Sequence, residues 1–215
     1  LGLPCAQIHL CTAPEAVGLI KRLIKTCKGD TYEIIQHERT TPLVFVPRAF
    51  NISTDVERGD AFVVFSRRDA ISLAGNLKKQ GYTVSMVYGA LPYSTRKQQA
   101  NMFLNRESDV LVATDAIGMG LNLPIRPIVF MDMAKFDGIC RRILFPQEIL
   151  QIAGRAGRQG MYAEGQVLLS RTVFGDRQYV EDCLSGKKRP KELSHAQLDV
   201  PDALYQTKYS IDKVL

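Results

Sequence analysis

Residues 151–158 (QIAGRAGR) combine two arginines, two glycines and a glutamine in one short segment. Arg155 and Arg158 are three positions apart, which places them on one side of a helical turn. The glycines lack side chains, so backbone and guanidinium groups can approach a ligand closely. Because a guanidinium is permanently charged and offers paired donors, it matches phosphate oxygens. The segment predicts a site for the terminal phosphoryl group of a triphosphate, with a surface turn of salt-bridged arginines as the alternative.

A second polar, glycine-rich segment, residues 113–122 (ATDAIGMGLN), follows a short apolar run. The carboxyl ends of strands in an open α/β sheet are where ligands bind. Thr114 offers a hydroxyl at that point and Asp115 offers an acceptor, while the glycines allow backbone amides to face a phosphate. The same residues fit a strand-to-helix turn capped by Asp115, and the pattern alone leaves both interpretations open.

The elements that must position these segments alternate between strand-like and helix-like patterns. Five apolar runs have the character of buried parallel strands, at 61–65, 84–88, 110–113, 128–131 and 165–169. Helices are predicted after Ser66, over 94–105 and over 146–153. Strand–helix alternation with short connections predicts an α/β fold: a mostly parallel sheet with helices on both faces.

Local sequence patterns predict the ends of the first helix and the buried faces of the first two helices. The residues Ser66-Arg67-Arg68-Asp69 have the pattern of a capping box, and Gly81 is expected to end the helix that follows. Apolar spacing predicts a buried face for two helices, formed by Ala70, Ile71, Ala74 and Leu77 in the first and by Ala100, Phe103 and Leu104 in the second.

The first 45 residues show a different pattern: a strand at 8–11, a helix opened by Pro14 and a strand at 32–35. This β–α–β piece is too small to bury its own core. Residues 1–45 are therefore interpreted as the end of a preceding domain. Residues 46–175 form the main domain, and residues 176–215 begin a C-terminal extension whose fold the sequence does not predict.

Composition and charge exclude several classes of protein. With 46% hydrophobic and 23% charged residues, the chain is not of the disordered type, and no apolar stretch approaches the roughly 18 residues of a membrane span. The five cysteines form no C-x-x-C pair, which argues against a disulfide framework or zinc and favours a reducing compartment. The net charge is +6, and residues 141–191 hold ten Lys or Arg against five Asp or Glu. This surplus permits a nucleic-acid partner without establishing one.

Together, residues 113–122 and 151–158 resemble motifs V and VI of the superfamily two helicases. Their order and spacing resemble the C-terminal RecA-like domain of that family, over residues 61–170. The amino-acid sequence of the two motifs is most similar to that of the RNA helicase of the mitochondrial degradosome and its bacterial relatives. Residues 7–42 are similar to the end of that family's first RecA-like domain. The resemblance implies a RecA-like arrangement for the predicted sheet.

The resemblance implies a role for each residue of these motifs. Arg158 matches the arginine finger, and Arg155 matches its partner at the γ-phosphate. Gln151 matches the glutamine that helps to place the attacking water or the phosphate. Three further positions match the surroundings of the bound nucleotide: Gly154, Gly120 and Asn122, the last where relatives often have an aspartate near the ribose.

Contacts with a nucleic-acid backbone are implied at a second set of residues. Thr114 matches the motif V threonine that contacts the backbone, and Asp115 lies beside it. Ser66 begins the helix of motif IV, where a helix N-terminus suits a phosphate. Gly89 and Arg96 match the segment that lies beside the bound strand.

Two parts of such a motor are absent from this sequence. It contains no G-x-x-x-x-G-K-[ST] loop and no Asp-Glu dipeptide. Asp132 ends an apolar run but is followed by Met133, and no metal ligand is predicted in this chain. The resemblance implies that ATP with magnesium is held mainly by the preceding RecA-like domain. This chain then adds its arginines when the cleft between the two domains closes.

The expected function is the C-terminal half of an ATP-dependent helicase that acts on single-stranded or partly duplex nucleic acid, with RNA favoured by the resemblance. The fragment alone is expected not to hydrolyse ATP, and no membrane partner is expected. The implied location is the cytoplasm of a bacterium or the mitochondrial matrix of a eukaryote. A non-catalytic clamp or scaffold and a duplex translocase without unwinding stay open as alternatives. A nicotinamide-dependent dehydrogenase is disfavoured, because no glycine fingerprint follows the first strand.

Overall fold

The computed structural model describes residues 6–27, 29–118, 123–157 and 161–195. The chain divides into two compact units, one of residues 38–189 and one of residues 1–37 with 190–215. Five α-helices are described: α1 (Val17–Lys25) in the smaller unit, and α2 (Arg67–Lys79), α3 (Tyr93–Leu104), α4 (Pro146–Ala153) and α5 (Arg177–Leu184) in the larger. Short 3₁₀ helices are formed by Pro14–Ala16, Asp115–Gly118 and Arg171–Asp176.

The larger unit is built on a six-stranded parallel sheet. The described strands are β1 (Leu43–Phe50), β2 (Ala61–Val63), β3 (Val84–Val87), β4 (Val110–Ala113), β5 (Pro127–Phe130), β6 (Ala134–Phe136), β7 (Arg141–Ile143) and β8 (Gly165–Ser170). Across the sheet the order is β1–β8–β5–β2–β4–β3, and every neighbouring pair is parallel. The central strand is β2, whose Ala61 pairs with Leu111 on one side and Ile128 on the other. Strands β6 and β7 form a separate antiparallel hairpin.

Helices cover both faces of this sheet. Alternate residues of the buried strands point to opposite faces, so Ala61 and Val63 pack on one side while Phe62 and Val64 pack on the other. The first side is covered by residues of α3, α4 and α5, and the second by residues of α2. The predicted α/β class, with a parallel sheet and helices on both faces, is confirmed.

The five predicted strands of the larger unit and its three predicted helices are all present, and α4 has the predicted bounds. Ser66 caps α2 by accepting a hydrogen bond from the Asp69 backbone N–H, and Gly81 has a φ of +94° just after that helix. Two predicted core residues are wrong: Ile71 is 47% exposed and Leu104 is 41% exposed. The buried face of each helix is narrower than predicted: it consists of Ala70, Ala74 and Leu77 in α2, and of Ala100 and Phe103 in α3.

Several elements escaped prediction. Strand β1 lies at the edge of the sheet beside β8, and it begins before the boundary expected at residue 46. The β6–β7 hairpin and α5 were also not anticipated; α5 packs Val180 and Cys183 into the core, so the chain stays in the larger unit beyond residue 175.

In the smaller unit, the helix opened by Pro14 is confirmed, but the strands expected at 8–11 and 32–35 are not formed. A strand needs a hydrogen-bonded neighbour, and none lies beside these segments in the part of the chain that the structure describes. Their apolar side chains are exposed, as Leu10 and Ile35 show. Within this unit, the Arg22 guanidinium donates to the carbonyl groups of Leu193 and Ser194. None of the described helices has the length and apolar character needed to cross a bilayer.

Candidate nucleotide and nucleic-acid site

The carboxyl ends of the parallel strands lie at one edge of the sheet, and several predicted site residues follow them. Ser66 comes shortly after β2, Gly89 after β3 and Thr114 directly after β4. The backbone N–H of Thr114 donates to the carbonyl of Val87 at 3.0 Å, which joins the ends of two adjacent strands. The topology therefore gathers residues that are up to 48 positions apart in sequence along one edge.

Arg155 and Gln151 converge on the same acceptor in the motif V segment. The guanidinium of Arg155 donates to the carbonyl oxygen of Gly118, and the amide of Gln151 lies 3.5 Å from that oxygen. A Cβ on Gly118 would lie 3.2 Å from the Gln151 side chain, so the glycine permits this close approach. The structure thus joins the two predicted motifs directly. Arg158, Gly120 and Asn122 lie outside the described residues.

The arginine turn, residues 154–157, follows the end of α4. Its backbone continues with short-range hydrogen bonds, from Arg155 to Ile152 at 3.0 Å and from Ala156 to Ala153 at 2.9 Å. Gly157 then adopts a φ of +70°, and a Cβ there would lie 2.5 Å from the backbone of Gly165. Arg155 lies in a hydrogen-bonded turn after the helix, and its predicted alignment with Arg158 falls outside the described residues. Gly157 serves to pack the turn against the start of β8, in addition to any role in ligand approach.

A cluster of charged groups, the hairpin cluster, connects the end of β4 with the β6–β7 hairpin and the start of α4. It consists of Asp115, Lys135, Asp137, Arg142 and Glu148. Lys135 bridges Asp115 at 3.1 Å and Glu148 at 2.8 Å. Arg142 binds both oxygens of Glu148, at 2.9 and 3.1 Å, and also contacts Asp137 at 3.0 Å.

Glu148 is the central acceptor of the hairpin cluster. Partial burial by itself would raise the pKa of this carboxyl, but donors from Arg142, Lys135 and the Phe145 backbone N–H outweigh that effect and hold the pKa at about 2. The Phe145 N–H donates at 2.7 Å, so Glu148 also closes the first turn of α4. Asp115, predicted as a nucleic-acid contact, is paired with Lys135 at this point, and its side chain remains about half exposed.

The other residues predicted to contact nucleic acid each have a hydrogen-bond partner within the protein. Ser66 is the N-cap of α2. Arg96 of α3 donates to the carbonyl groups of Gly89 at 2.9 Å and Leu91 at 3.2 Å, so the predicted pair Gly89 and Arg96 are in contact. Thr114 is only 7% exposed, and its hydroxyl accepts a hydrogen bond from the Ala116 N–H at 3.4 Å.

Both carboxylate oxygens of Asp132 have partners within the protein. One of its carboxylate oxygens accepts from the Ala134 N–H at 2.9 Å, and the other pairs with Arg141 at 2.6 Å. Both contacts belong to the β6–β7 hairpin, so this aspartate fixes the start of the hairpin.

Sequence reasoning missed four residues that shape the site. Three of them, Lys135, Arg142 and Glu148, carry charges of both signs close together in sequence, but only the hairpin brings them into contact. The fourth, Arg39, donates to carbonyl groups of the arginine turn across more than 110 residues. No motif in the sequence signals a contact of this kind, because its acceptors are backbone atoms.

Comparisons with known proteins agree with this geometry. Residues 43–160 match the family described as "Helicase conserved C-terminal domain". The chain is 45% identical over 163 residues to the "ATP-dependent RNA helicase SUV3, mitochondrial" of Oryza sativa subsp. japonica, covering 74% of this chain and 28% of that protein. It is 38% identical over 175 residues to the "ATP-dependent RNA helicase SUPV3L1, mitochondrial" of Homo sapiens, covering 78% of this chain and 22% of that protein. The chain thus spans about a quarter of the length of these relatives.

A solved structure supports the fold. "S. cerevisiae Dbp5 bound to RNA and ADP BeF3" matches with a TM-score of 0.53 and 18% identity, covering 78% of this chain and 46% of that chain. The family match covers more than half of the chain, and it includes both motifs and the strands β1 to β5 of the sheet that positions them. The resemblance indicated by the motifs is confirmed, and the chain belongs to the helicase conserved C-terminal domain family.

Proposed function

We propose that this chain supplies the C-terminal half of an ATP-dependent RNA helicase. In this proposal, Arg155, Arg158 and Gln151 act on a triphosphate carried mainly by a preceding RecA-like domain, to which the N-terminal residues of the smaller unit, before residue 38, belong. The strand ends at Ser66, Gly89 and Thr114 face the nucleic-acid backbone, with Asp115 and Arg96 beside them. Gly154, Gly120 and Asn122 border the nucleotide. The names of the SUV3-type relatives support the choice of RNA and a mitochondrial location.

One observation carries the proposal: the guanidinium of Arg155 is held by a neutral acceptor. Its partner is the Gly118 carbonyl, and no carboxylate lies within 4.0 Å of it among the residues that the structure describes. A guanidinium bound to a neutral carbonyl has no adjacent negative charge to offset its own, and among the described residues a single N–H donor of Arg155 is engaged. This is the arrangement required of a group that stabilises the charge of a transferring phosphoryl group.

The residues present fit the phosphate end of ATP better than its magnesium. Asp132, the aspartate that follows β5, already binds Arg141 and a backbone N–H. The carboxylates of Asp115 and Glu148 pair with lysine and arginine. We therefore assign the magnesium, which neutralises charge on the phosphates when bound, to the preceding domain. This chain contributes cationic donors.

The test of the proposal is ATP hydrolysis by the full-length protein with the substitution Arg158→Ala. An arginine finger contributes about 10³–10⁵ in turnover, so hydrolysis stimulated by single-stranded RNA should fall at least roughly 10³-fold. RNA affinity, measured by fluorescence anisotropy without nucleotide, should stay within about threefold, because the finger acts on the nucleotide. Normal hydrolysis in the variant contradicts the proposal.

Two controls separate this function from the alternatives. A clamp or scaffold would bind RNA without ATP hydrolysis in the unsubstituted full-length protein, and a duplex translocase would hydrolyse ATP without separating strands. The isolated 215-residue fragment should release no phosphate at a steady rate. Steady release by the fragment would show that the preceding domain is not required.

A further inference from the structure

Arg39 makes a concentrated set of contacts with the arginine turn. Its guanidinium donates to the carbonyl groups of Gly154 and Ala156, and one of its nitrogens lies 3.4 Å from the carbonyl of Gly157. The Nε–H of the guanidinium donates to the carbonyl of Thr41. All of its described acceptors are backbone oxygens. Arg39 therefore connects the chain just before β1 to the turn that follows α4.

The carbonyl of Gly154, the C-cap of α4, has no partner within the helix, and the carbonyls of Ala156 and Gly157 lie in the turn beyond the helix. The N–H groups of the turn are already used: Arg155 and Ala156 donate to the end of α4, and Gly157 donates to Ile125 at 3.0 Å. The C-terminal end of a helix also carries partial negative charge, which favours a nearby cation. A planar guanidinium satisfies several of these oxygens at once, which a lysine ammonium cannot do with the same geometry.

The positions of the acceptors determine what Arg39 controls. Gly154 and Ala156 are the two residues that flank Arg155. When both of their carbonyl groups are held by one rigid side chain, the backbone angles of Arg155 are held too. The direction of the Arg155 side chain toward Gly118 then depends on Arg39, although Arg39 itself does not contact Arg155 in the described hydrogen bonds.

Arg39 also lies at a boundary between the two units along the chain. Residue 38 is the first residue of the larger unit, so Arg39 lies where the chain enters that unit. The path of the chain at this entry is thereby tied to the turn that carries Arg155.

We propose that Arg39 is a positioning residue for ATP hydrolysis, which fixes the arginine turn so that Arg155 points toward the nucleotide. This inference rests on the proposed function. Its effect should fall on turnover, because a misdirected arginine weakens stabilisation of the transition state more than binding of the substrates.

The experiment is a double-mutant cycle on kcat in the full-length protein, with single-stranded RNA present. Arg39→Ala should lower kcat by roughly tenfold or more, while the KM for RNA changes less than about threefold. In the background of Arg155→Ala, the same substitution should lower kcat by less than about twofold further, because Arg39 acts through Arg155. Arg39→Lys should fold normally and recover only part of the turnover. A matched control is Arg22→Ala, which removes another guanidinium–carbonyl contact and should leave kcat unchanged.

Each outcome decides the inference. If Arg39→Ala and Arg39→Lys leave kcat within twofold, or if the loss multiplies undiminished with that of Arg155→Ala, Arg39 does not position Arg155. If the unsubstituted protein hydrolyses no ATP, the proposed function fails, and hydrogen exchange then tests the structural link alone. Arg39→Ala should speed exchange across residues 154–157, whereas Arg22→Ala should not; equal exchange in the two variants overturns the inference.

Discussion

The two ends of α4 hold their charged groups in opposite ways. At the N-terminal end, Glu148 is enclosed by Arg142, Lys135 and a backbone N–H, so every charge has a partner of opposite sign. At the C-terminal end, Arg155 and Arg39 donate to neutral carbonyl groups, and their charges are not cancelled by any described carboxylate. Both arrangements agree with the helix dipole, which favours an acid at the first end and a cation at the second.

This contrast separates a structural site from a site that can act on a ligand. An ion pair lowers the net field of both partners, and its acidic member offsets the attraction of the cation for an anionic ligand. A guanidinium held by a carbonyl group is oriented without losing its charge. The hairpin cluster therefore stabilises the position of the hairpin, while the proposed function requires the arginine turn to present its positive charge to a phosphate.

The strongest test of this comparison removes one arginine beside each end of α4: Arg155 at the C-terminal end and Arg142 at the N-terminal end. In the full-length protein, Arg155→Ala should reduce ATP turnover by roughly 10²–10³-fold, as expected for the loss of one donor to a developing charge. Its thermal midpoint should change little, because a single carbonyl contact is lost. Arg142→Ala should instead lower the free energy of unfolding by about 2 kcal/mol, since it leaves the partly buried Glu148 underpaired.

The measurement is steady-state phosphate release at a temperature where both variants are folded, together with urea unfolding of each. Turnover by Arg142→Ala should remain within several-fold of the unsubstituted protein. If Arg142→Ala impairs turnover as strongly as Arg155→Ala, the division between the two ends of the helix is wrong.

A second prediction concerns how the arginine turn is held. Gly157→Ala combines a φ of +70° with a Cβ that would lie 2.5 Å from the Gly165 backbone. Left-handed backbone strain and overpacking together should lower the free energy of unfolding by about 3 kcal/mol. Gly175→Ala is a suitable control, because a Cβ there meets no atom within 4 Å and its φ is not positive. Urea unfolding that shows equal stability for both variants would contradict a close approach of the turn to β8.

Much of this arrangement was predictable from sequence because the central strands are short, apolar and regularly spaced from their helices. The runs at β2, β4 and β5 are buried on both faces, so continuous apolar sequence predicts them directly. The topological rule that ligands bind at strand carboxyl ends then placed Thr114 at that edge, while Ser66 was placed by the resemblance and by its position at a helix N-terminus. The contact of Arg155 and Gln151 with Gly118 was not predicted, and it is visible only in the folded chain.

The elements that escaped prediction depend on contacts remote in sequence. Strand β1 contains Pro47 and Arg48, which interrupt an apolar pattern but are tolerated at the edge of a sheet. The β6–β7 hairpin has two short strands of three residues each, and its Lys135 finds partners only when the residue after β4 and the start of α4 lie beside it. Conversely, the apolar segment 8–11 reads as a strand but has no described neighbour to pair with.

The smallest effect is expected for Glu148, and it carries a pH signature. Glu148→Gln removes the charge that Arg142 and Lys135 surround, so at pH 7 the free energy of unfolding should fall by about 1–2 kcal/mol. Because the pKa of Glu148 in the folded protein is about 2, below the ordinary value near 4.5, its stabilisation is complete above pH 4.5. It is lost as the pH falls toward 2. The difference between the variant and the unsubstituted protein should therefore shrink over that window, as measured by urea unfolding at pH 7, 4.5 and 2.5.

Asp60 must be separated from this measurement, because burial raises its pKa to about 7, with a smaller opposing effect from the charge of Arg48. Its folded-state pKa lies above the unfolded value, so its effect is to reduce stability as the pH rises from about 4 through 7. That slope is present in both proteins and cancels in the difference between them, which leaves only Glu148 below pH 4.5. A difference that stays constant down to pH 2.5 would mean that the carboxylate of Glu148 is not the group that holds Arg142 and Lys135. The start of α4 would then owe its order to packing, and the contrast with its far end would rest on Arg155 alone.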